Sequence, residues 1–322
     1  MKRKTLLGWG LLLALGAWTV WTLFRGQSAA AVWQSLRQVH PLAVLAGLAL
    51  MAGFLLCEAL CTRRILSTLG HTVPLRQALT YSVAGFYFSS VTPSASGGQP
   101  AQVLAMKRDG VPVAHGALDM LLVTVCYQTM TLLFAGCAWF CLPDAPELLG
   151  EKLGLLLLFG GAVTLVLTAG MVLLLFHPPK SPRFDGYRAA AALIRARPGL
   201  IPRAMLLTGL QLLCLYLVPY VVCRGFGLEA HPVRMVGVQA LLTLATGCLP
   251  LPGAVGAAEG AFLRGFAVFF GPGLTTPALL VSRGISFYLP LLLTGLTTLA
   301  LRLRPRCTPL CPQITAKKVP AP

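Results

Sequence analysis

The feature that most constrains this fold is a succession of apolar stretches, each long enough to cross a membrane. Of the 322 residues, 56% are hydrophobic and only 11% are charged, whereas about a quarter of the residues in soluble domains are charged. Roughly 20 apolar residues form a helix that crosses about 30 Å of hydrocarbon. The sequence therefore predicts an all-α polytopic membrane protein with about six full transmembrane helices, at residues 6–24, 42–61, 116–142, 153–176, 204–222 and 285–301.

The positive charge is concentrated in short loops beside these predicted spans. The net charge is +17, and 19 of the 26 Lys and Arg residues fall in segments that alternating topology places on one side. Such loops are typically cytoplasmic. The pattern predicts a multi-pass plasma-membrane protein with both termini cytoplasmic, and it argues against a nucleic-acid partner. We expect one integral membrane domain over residues 1–303, with halves at 1–142 and 153–303, and a disordered cytoplasmic tail at 304–322.

Two Gly- and Pro-rich breaks interrupt the apolar pattern, at residues 89–102 and at residues 249–260. Irregular backbone at membrane depth is tolerated only where it lines a cavity or packs against protein. The flanking segments are too short to cross the membrane, which predicts re-entrant hairpins near 77–108 and 235–271. Three full spans separate the hairpins, so they are expected to enter from opposite faces. This arrangement is typical of inverted-repeat transporters.

Glu259 lies in the second break, within an apolar region where a charged side chain costs roughly 2.5 kcal/mol or more. Two interpretations are open for this residue. It either attracts a cationic headgroup amine, with Arg283 or Arg264 binding the phosphate, or it is structural. In the structural interpretation it forms an ion pair with one of these arginines or stays protonated because it is buried.

Two further acids, Glu58 and Asp119, also fall within apolar segments. Glu58 is near the end of its predicted span, so we expect a structural pair with Arg63 or Arg64. For Asp119 a structural and a functional role are equally open.

The first break offers glycines that let the backbone approach a ligand and neutral side chains that form hydrogen bonds. A helix that begins near Gln99 would direct free N–H groups at an anion. A tight connection between two half-helices is the alternative. No Walker loop, HExxH motif or dinucleotide fingerprint is present, so we predict no catalytic residues, metal site or cofactor. The candidate substrate-binding residues are Thr92, Pro93, Ser94, Ser96, Gly97, Gly98, Gln99, Pro252, Gly253, Gly256, Glu259, Arg264, Arg283 and Tyr288.

Both breaks resemble a known family, the membrane (flippase-like) region of lysylphosphatidylglycerol synthetases, also called multiple peptide resistance factors. The resemblance is carried by residues 92–100, 107–110, 249–260 and 283–289. It implies a translocase of aminoacylated or otherwise modified phospholipid that contributes to resistance to cationic antimicrobial peptides. Many relatives have Glu where this chain has Gln99, which removes one charge from the first break.

Full-length relatives also carry a synthase domain that transfers lysine from lysyl-tRNA to phosphatidylglycerol. This sequence stops about twenty residues after its last predicted span, so we expect no synthase domain, and the transferase activity does not carry over with the resemblance. Two alternatives stand beside the translocase: a phosphatidylglycerol lysyltransferase-family enzyme, and a non-catalytic scaffold for a separate lipid synthase. The expected partners are anionic or aminoacylated membrane phospholipids and a separate lipid synthase.

Overall fold

The regular secondary structure of the described part of the chain is entirely helical, as predicted, and contains no strand. The computed structural model of the protein describes residues 33–34, 37–178, 180–251, 254–271 and 273–303. The predicted first span and the predicted tail lie outside these residues. The helices are α1 (Pro41–Thr68), α2 (Leu75–Val91), α3 (Gly98–Arg108), α4 (Val113–Cys141), α5 (Ala145–Phe176), α6 (Asp185–Arg195), α7 (Leu200–Tyr216), α8 (Val218–Gly225), α9 (Pro232–Gly247), α10 (Ala257–Gly265), α11 (Ala267–Phe270), α12 (Thr275–Arg283) and α13 (Leu289–Leu303).

Five predicted spans correspond to helical segments that are long and apolar enough to cross a membrane. They are Pro41–Thr68, Val113–Cys141, Ala145–Phe176, Leu200–Gly225 and Thr275–Ala300. Because a transmembrane helix needs about 20 apolar residues, all five satisfy the length requirement.

All five segments begin earlier than predicted, and two of them by eight or more residues. α5 starts at Ala145 because Gly150, with φ +65°, lets the helix kink and continue into the apolar run. The last segment starts at Thr275 because a π-helical turn, Gly284–Tyr288, joins α12 to α13. The charge of Arg283 hides this continuity in the sequence.

The helices pack around buried apolar side chains and present a second apolar surface outward. α1 lies against α7 and α2, while α9 lies against α5 and α4. On α5, Leu155, Leu158 and Val166 are 68–70% exposed. A large exposed apolar surface in a chain of this composition fits contact with hydrocarbon.

Each predicted break separates two shorter helices that pack against each other. In the first, α2 and α3 flank a 3₁₀ turn, Pro93–Ala95. In the second, α9 and α10 flank residues 248–256. The helix–break–helix units are therefore present. Their entry into the membrane from opposite faces stays a prediction.

The contact between α5 and α9 depends on Gly160. A Cβ atom at this position would lie 2.3 Å from the carbonyl oxygen of Leu244, and small residues allow such close helix approach in membranes. We expect Gly160→Ala to destabilise the protein by about 1–3 kcal/mol through overpacking, seen as a lower unfolding temperature of the detergent-purified protein.

Gly154, on the same helix, provides the control for this substitution. Its added Cβ would meet no atom within 4 Å, so Gly154→Ala should be neutral or stabilising by up to about 1 kcal/mol. Equal unfolding temperatures for the two variants would contradict the packing argument.

Candidate functional site

The first break is closed by the side chain of Thr92. Its hydroxyl donates to the carbonyl of Phe88 at 2.6 Å and accepts from the N–H of Gly97 at 2.9 Å. Ser94 adopts φ +50° inside the turn. The turn is thus a tight connection between two half-helices, the alternative that the sequence left open.

The predicted polar residues of this turn face outward. Ser94, Ser96 and Gln99 are exposed, as is Pro93. Gln99 donates through Nε2 to the hydroxyl of Thr124 at 3.1 Å. This hydrogen bond connects the start of α3 to α4.

Two glycines bring α2 and α3 into close contact just below the turn. A Cβ at Gly98 would lie 1.9 Å from Oγ of Ser89, and a Cβ at Gly85 would lie 2.1 Å from Nε2 of Gln102. Gln102 therefore passes directly over the face of α2. Because Gly85 has no side chain, the Gln102 side chain can extend across α2 to α1.

The side-chain amide of Gln102 reaches Glu58, whose carboxyl group accepts hydrogen bonds from the side-chain amides of two other helices. Oε1 of Glu58 accepts from Nε2 of Gln102 at 2.9 Å, and its Oε2 accepts from Nε2 of Gln211 on α7 at 3.3 Å. Residues 58, 102 and 211 are far apart in sequence, so the contact was not predicted. The one sequence feature that could have pointed to Gln211 is that it is a polar amide inside a predicted apolar span.

The predicted pairing of Glu58 with Arg63 or Arg64 is wrong. Among the described residues Glu58 forms no salt bridge, and Nε of Arg63 donates to the carbonyl of Val73 at 3.1 Å. A helix turns about 100° per residue. Arg63 and Arg64 follow Glu58 by five and six residues, so their side chains lie on other faces of α1. Glu58 instead faces α3 and α7.

Asp119 lies beside Glu58 and is completely buried. Its polar neighbours are the hydroxyl of Thr62 and the carboxyl group of Glu58. Its exposed fraction is 0%, and neither carboxyl oxygen has a hydrogen-bond partner of standard geometry in the described part of the chain. Oε1 of Gln102 and Oε1 of Gln211 also lack a partner there. We call Glu58, Asp119, Thr62, Gln102 and Gln211 the carboxyl centre.

The carboxyl centre has an excess of hydrogen-bond acceptors. Carboxylates only accept, whereas amide oxygens also have lone pairs to offer. Buried acceptors without donors are costly, and buried carboxylates without a countercharge more so. A group that carries positive charge and several N–H donors would offset both costs.

The second break contains the other polar centre, formed by Glu259 and Arg283. Nε of Arg283 donates to Oε1 of Glu259 at 2.7 Å, and the N–H of Gly256 donates to the second carboxylate oxygen. Glu259 is 3% exposed. Arg283 also lies 4.7 Å from the ring centre of Phe287, and Tyr288 lies beside the pair.

The charge of Glu259 is therefore compensated by Arg283 at the end of α12 and by the N–H of Gly256 in the break. Gly256, with φ +87°, turns the backbone so that its N–H reaches the carboxylate. This geometry matches the ion pair that the sequence offered as one of two interpretations. Pro252 and Gly253 lie outside the described residues.

Arg264 lies apart from this pair, against α5. Its Nε donates to the carbonyl of Leu149 at 2.9 Å, and a Cβ at Gly150 would lie 2.3 Å from its Nη2. The arginine satisfies a carbonyl at the kink of α5. The structure thus brings Gly256, Glu259, Arg283 and Tyr288 together but places Arg264 elsewhere.

The fold and its two centres define a polytopic α-helical membrane protein with paired helix breaks and buried ionisable groups. Over residues 9–294 the chain matches the family described as the lysylphosphatidylglycerol synthase TM region, and it belongs to that family. A UPF0104 membrane protein of Archaeoglobus fulgidus is 24% identical over 112 residues, which cover 35% of this chain and 34% of the relative. The match thus spans about a third of that relative's length.

Proposed function

We propose that this protein is a flippase-like translocase for phospholipids with a cationic headgroup, of the aminoacylated (lysyl-phosphatidylglycerol) type. The observation that carries the proposal is the carboxyl centre, where Glu58 and Asp119 lie among buried acceptors with no basic partner in the described residues. Membership in the lysylphosphatidylglycerol synthase TM family supports the same lipid class. Such an activity would contribute to resistance to cationic antimicrobial peptides.

A primary ammonium group is chemically matched to this centre. It has three N–H donors and one positive charge, and its hydrogen bonds to carboxylates are of the strong, charge-assisted kind. Asp119 and the free oxygens of Gln102 and Gln211 would accept these donors. A headgroup without an amine would leave the acceptors unsatisfied, which gives selectivity.

The pair of Glu259 and Arg283 has a different role in this proposal. Because Glu259 is already bound by Arg283 and Gly256, it is a poor receptor for an amine in this conformation. We assign amine recognition to the carboxyl centre and assign the pair to holding the shape of the second break.

Leaflet-resolved lipid analysis tests the proposal in cells that make an aminoacyl phospholipid but lack this protein. Wild-type protein should increase labelling of the lipid by an amine reagent that does not cross the membrane, with total aminoacyl lipid unchanged. Glu58→Gln with Asp119→Asn should abolish the increase at equal protein level.

The matched control is Glu151→Gln with Glu229→Gln, because both residues are exposed and the loss of charge is the same. This control should behave as wild type. A rise in total aminoacyl lipid with an unchanged leaflet ratio would contradict translocation and support the enzyme alternative.

A further inference from the structure

Four arginines surround one groove at the end of the bundle where α1 finishes and α7 begins. The groove has a volume of about 580 Å³, within the range of small-molecule sites. Among the described residues, no acidic side chain lines it. Its lining is Leu60, Arg63, Arg64, Ser67, Thr68, Arg197, Gly199, Leu200 and Arg203.

The packing of α1 against α7 places these arginines together. Arg63 and Arg64 lie near the C-terminal end of α1, Arg203 lies in the first turn of α7, and Arg197 precedes it. Because α1 and α7 form an extensive contact, their ends are neighbours. Residues that are over 130 positions apart in sequence thus line one groove.

The charge of the groove is uncompensated in the described residues. None of the four guanidinium groups forms a salt bridge there. The start of α7 adds to this charge, because Gly199 is its N-cap and no side chain caps the free N–H groups. The N-terminus of a helix favours anions.

We propose that this groove binds a phosphate group, presented either by an anionic phospholipid headgroup or by a soluble phosphate compound. Guanidinium groups match phosphate oxygens in a two-point, charge-assisted geometry. The hydroxyls of Ser67 and Thr68 line the same groove. The site is separate from the carboxyl centre and does not depend on the proposed translocase activity.

Binding of phosphatidylglycerol to the purified full-length protein, counted by native mass spectrometry, tests this site. Arg64→Gln with Arg203→Gln should lower the affinity at least about tenfold, because hydrogen bonds to charged groups are the strong ones. Phosphatidylcholine, which has no net charge, serves as the reference lipid. All substituted side chains are exposed, so an unchanged unfolding temperature will verify the fold.

The control is Arg76→Gln with Arg108→Gln, two exposed arginines outside the groove lining. It should change affinity less than twofold. Pyrophosphate at constant ionic strength then separates the sources: displacement of the lipid supports a soluble ligand, and no displacement supports the lipid headgroup. Equal losses in both double variants, or no loss in either, would overturn the proposal.

Discussion

A Glu259→Ala variant is expected to unfold at a markedly lower temperature and to lose the proposed lipid translocation. The substitution removes the carboxylate that Arg283 binds at a largely buried position, where the arginine side chain is 17% exposed and that of Glu259 is 4% exposed. Removing one partner of a buried ion pair costs about 3–5 kcal/mol. It also releases the N–H of Gly256, so the second break loses the bond that shapes it. Thermal unfolding of the detergent-purified protein measures the loss.

Two variants separate this effect from a general loss of charge. Glu229→Ala removes an exposed acid whose pair with Arg224 spans 3.9 Å, and exposed pairs contribute about 0–1 kcal/mol. Glu259→Gln with Arg283→Gln removes both charges and should recover most of the stability. If the double variant is as unstable as Glu259→Ala, the buried-charge explanation is wrong.

A Gly98→Leu variant should separate α2 from α3 and abolish translocation. Its Cβ alone would lie 1.9 Å from Oγ of Ser89 and 3.0 Å from the carbonyl oxygen of Gly85. Overpacking of this kind costs about 1–3 kcal/mol, occasionally more. When the two helices move apart, Gln102 moves away from Glu58. The carboxyl centre then loses the hydrogen bond that α3 contributes.

Gly136→Leu on α4 is the matched control, because no atom lies within 4 Å of its added Cβ. We expect it to retain translocation and an unfolding temperature close to that of wild type. Both variants are assayed in the same cells by leaflet-resolved lipid labelling. Full translocation by Gly98→Leu would show that the α2–α3 contact is not required.

The sequence predicted those parts of the fold that depend on local composition. Five spans follow from apolar runs whose length matches the bilayer, and both breaks follow from clustered Pro and Gly residues, which disfavour a continuous helix. The start of α5 was missed because Glu147, Glu151 and Lys152 are typical of a loop. The start of α12 was missed because Arg283 looks like an interruption. In the fold, α5 continues through a kink at Gly150, and a π-helical turn after Arg283 joins α12 to α13.

The sequence predicted contacts in the candidate site only between residues that have opposite charges and lie close together in the chain. Glu259 and Arg283 are 24 residues apart, and opposite charges in one apolar region made their pairing an expected alternative. The carboxyl centre depends instead on how α1, α3, α4 and α7 pack together. No local pattern predicts that Gln102 and Gln211 meet at Glu58, so the pairing with Arg63 or Arg64 was the wrong expectation.

The central claim is that Glu58 and Asp119 recognise a cationic headgroup, and reconstituted transport tests it most directly. Proteoliposomes would carry fluorescent lysyl-phosphatidylglycerol or fluorescent phosphatidylglycerol, with transfer between leaflets followed by dithionite quenching. We predict that wild-type protein moves the lysyl lipid at least about tenfold faster than phosphatidylglycerol. The Glu58→Gln/Asp119→Asn variant should lose this preference while unfolding at no lower temperature, because the amides keep the side-chain shape and leave no carboxyl group to ionise inside the bundle. Equal rates for the two lipids with wild-type protein, or an unchanged preference in the variant, would contradict the claim.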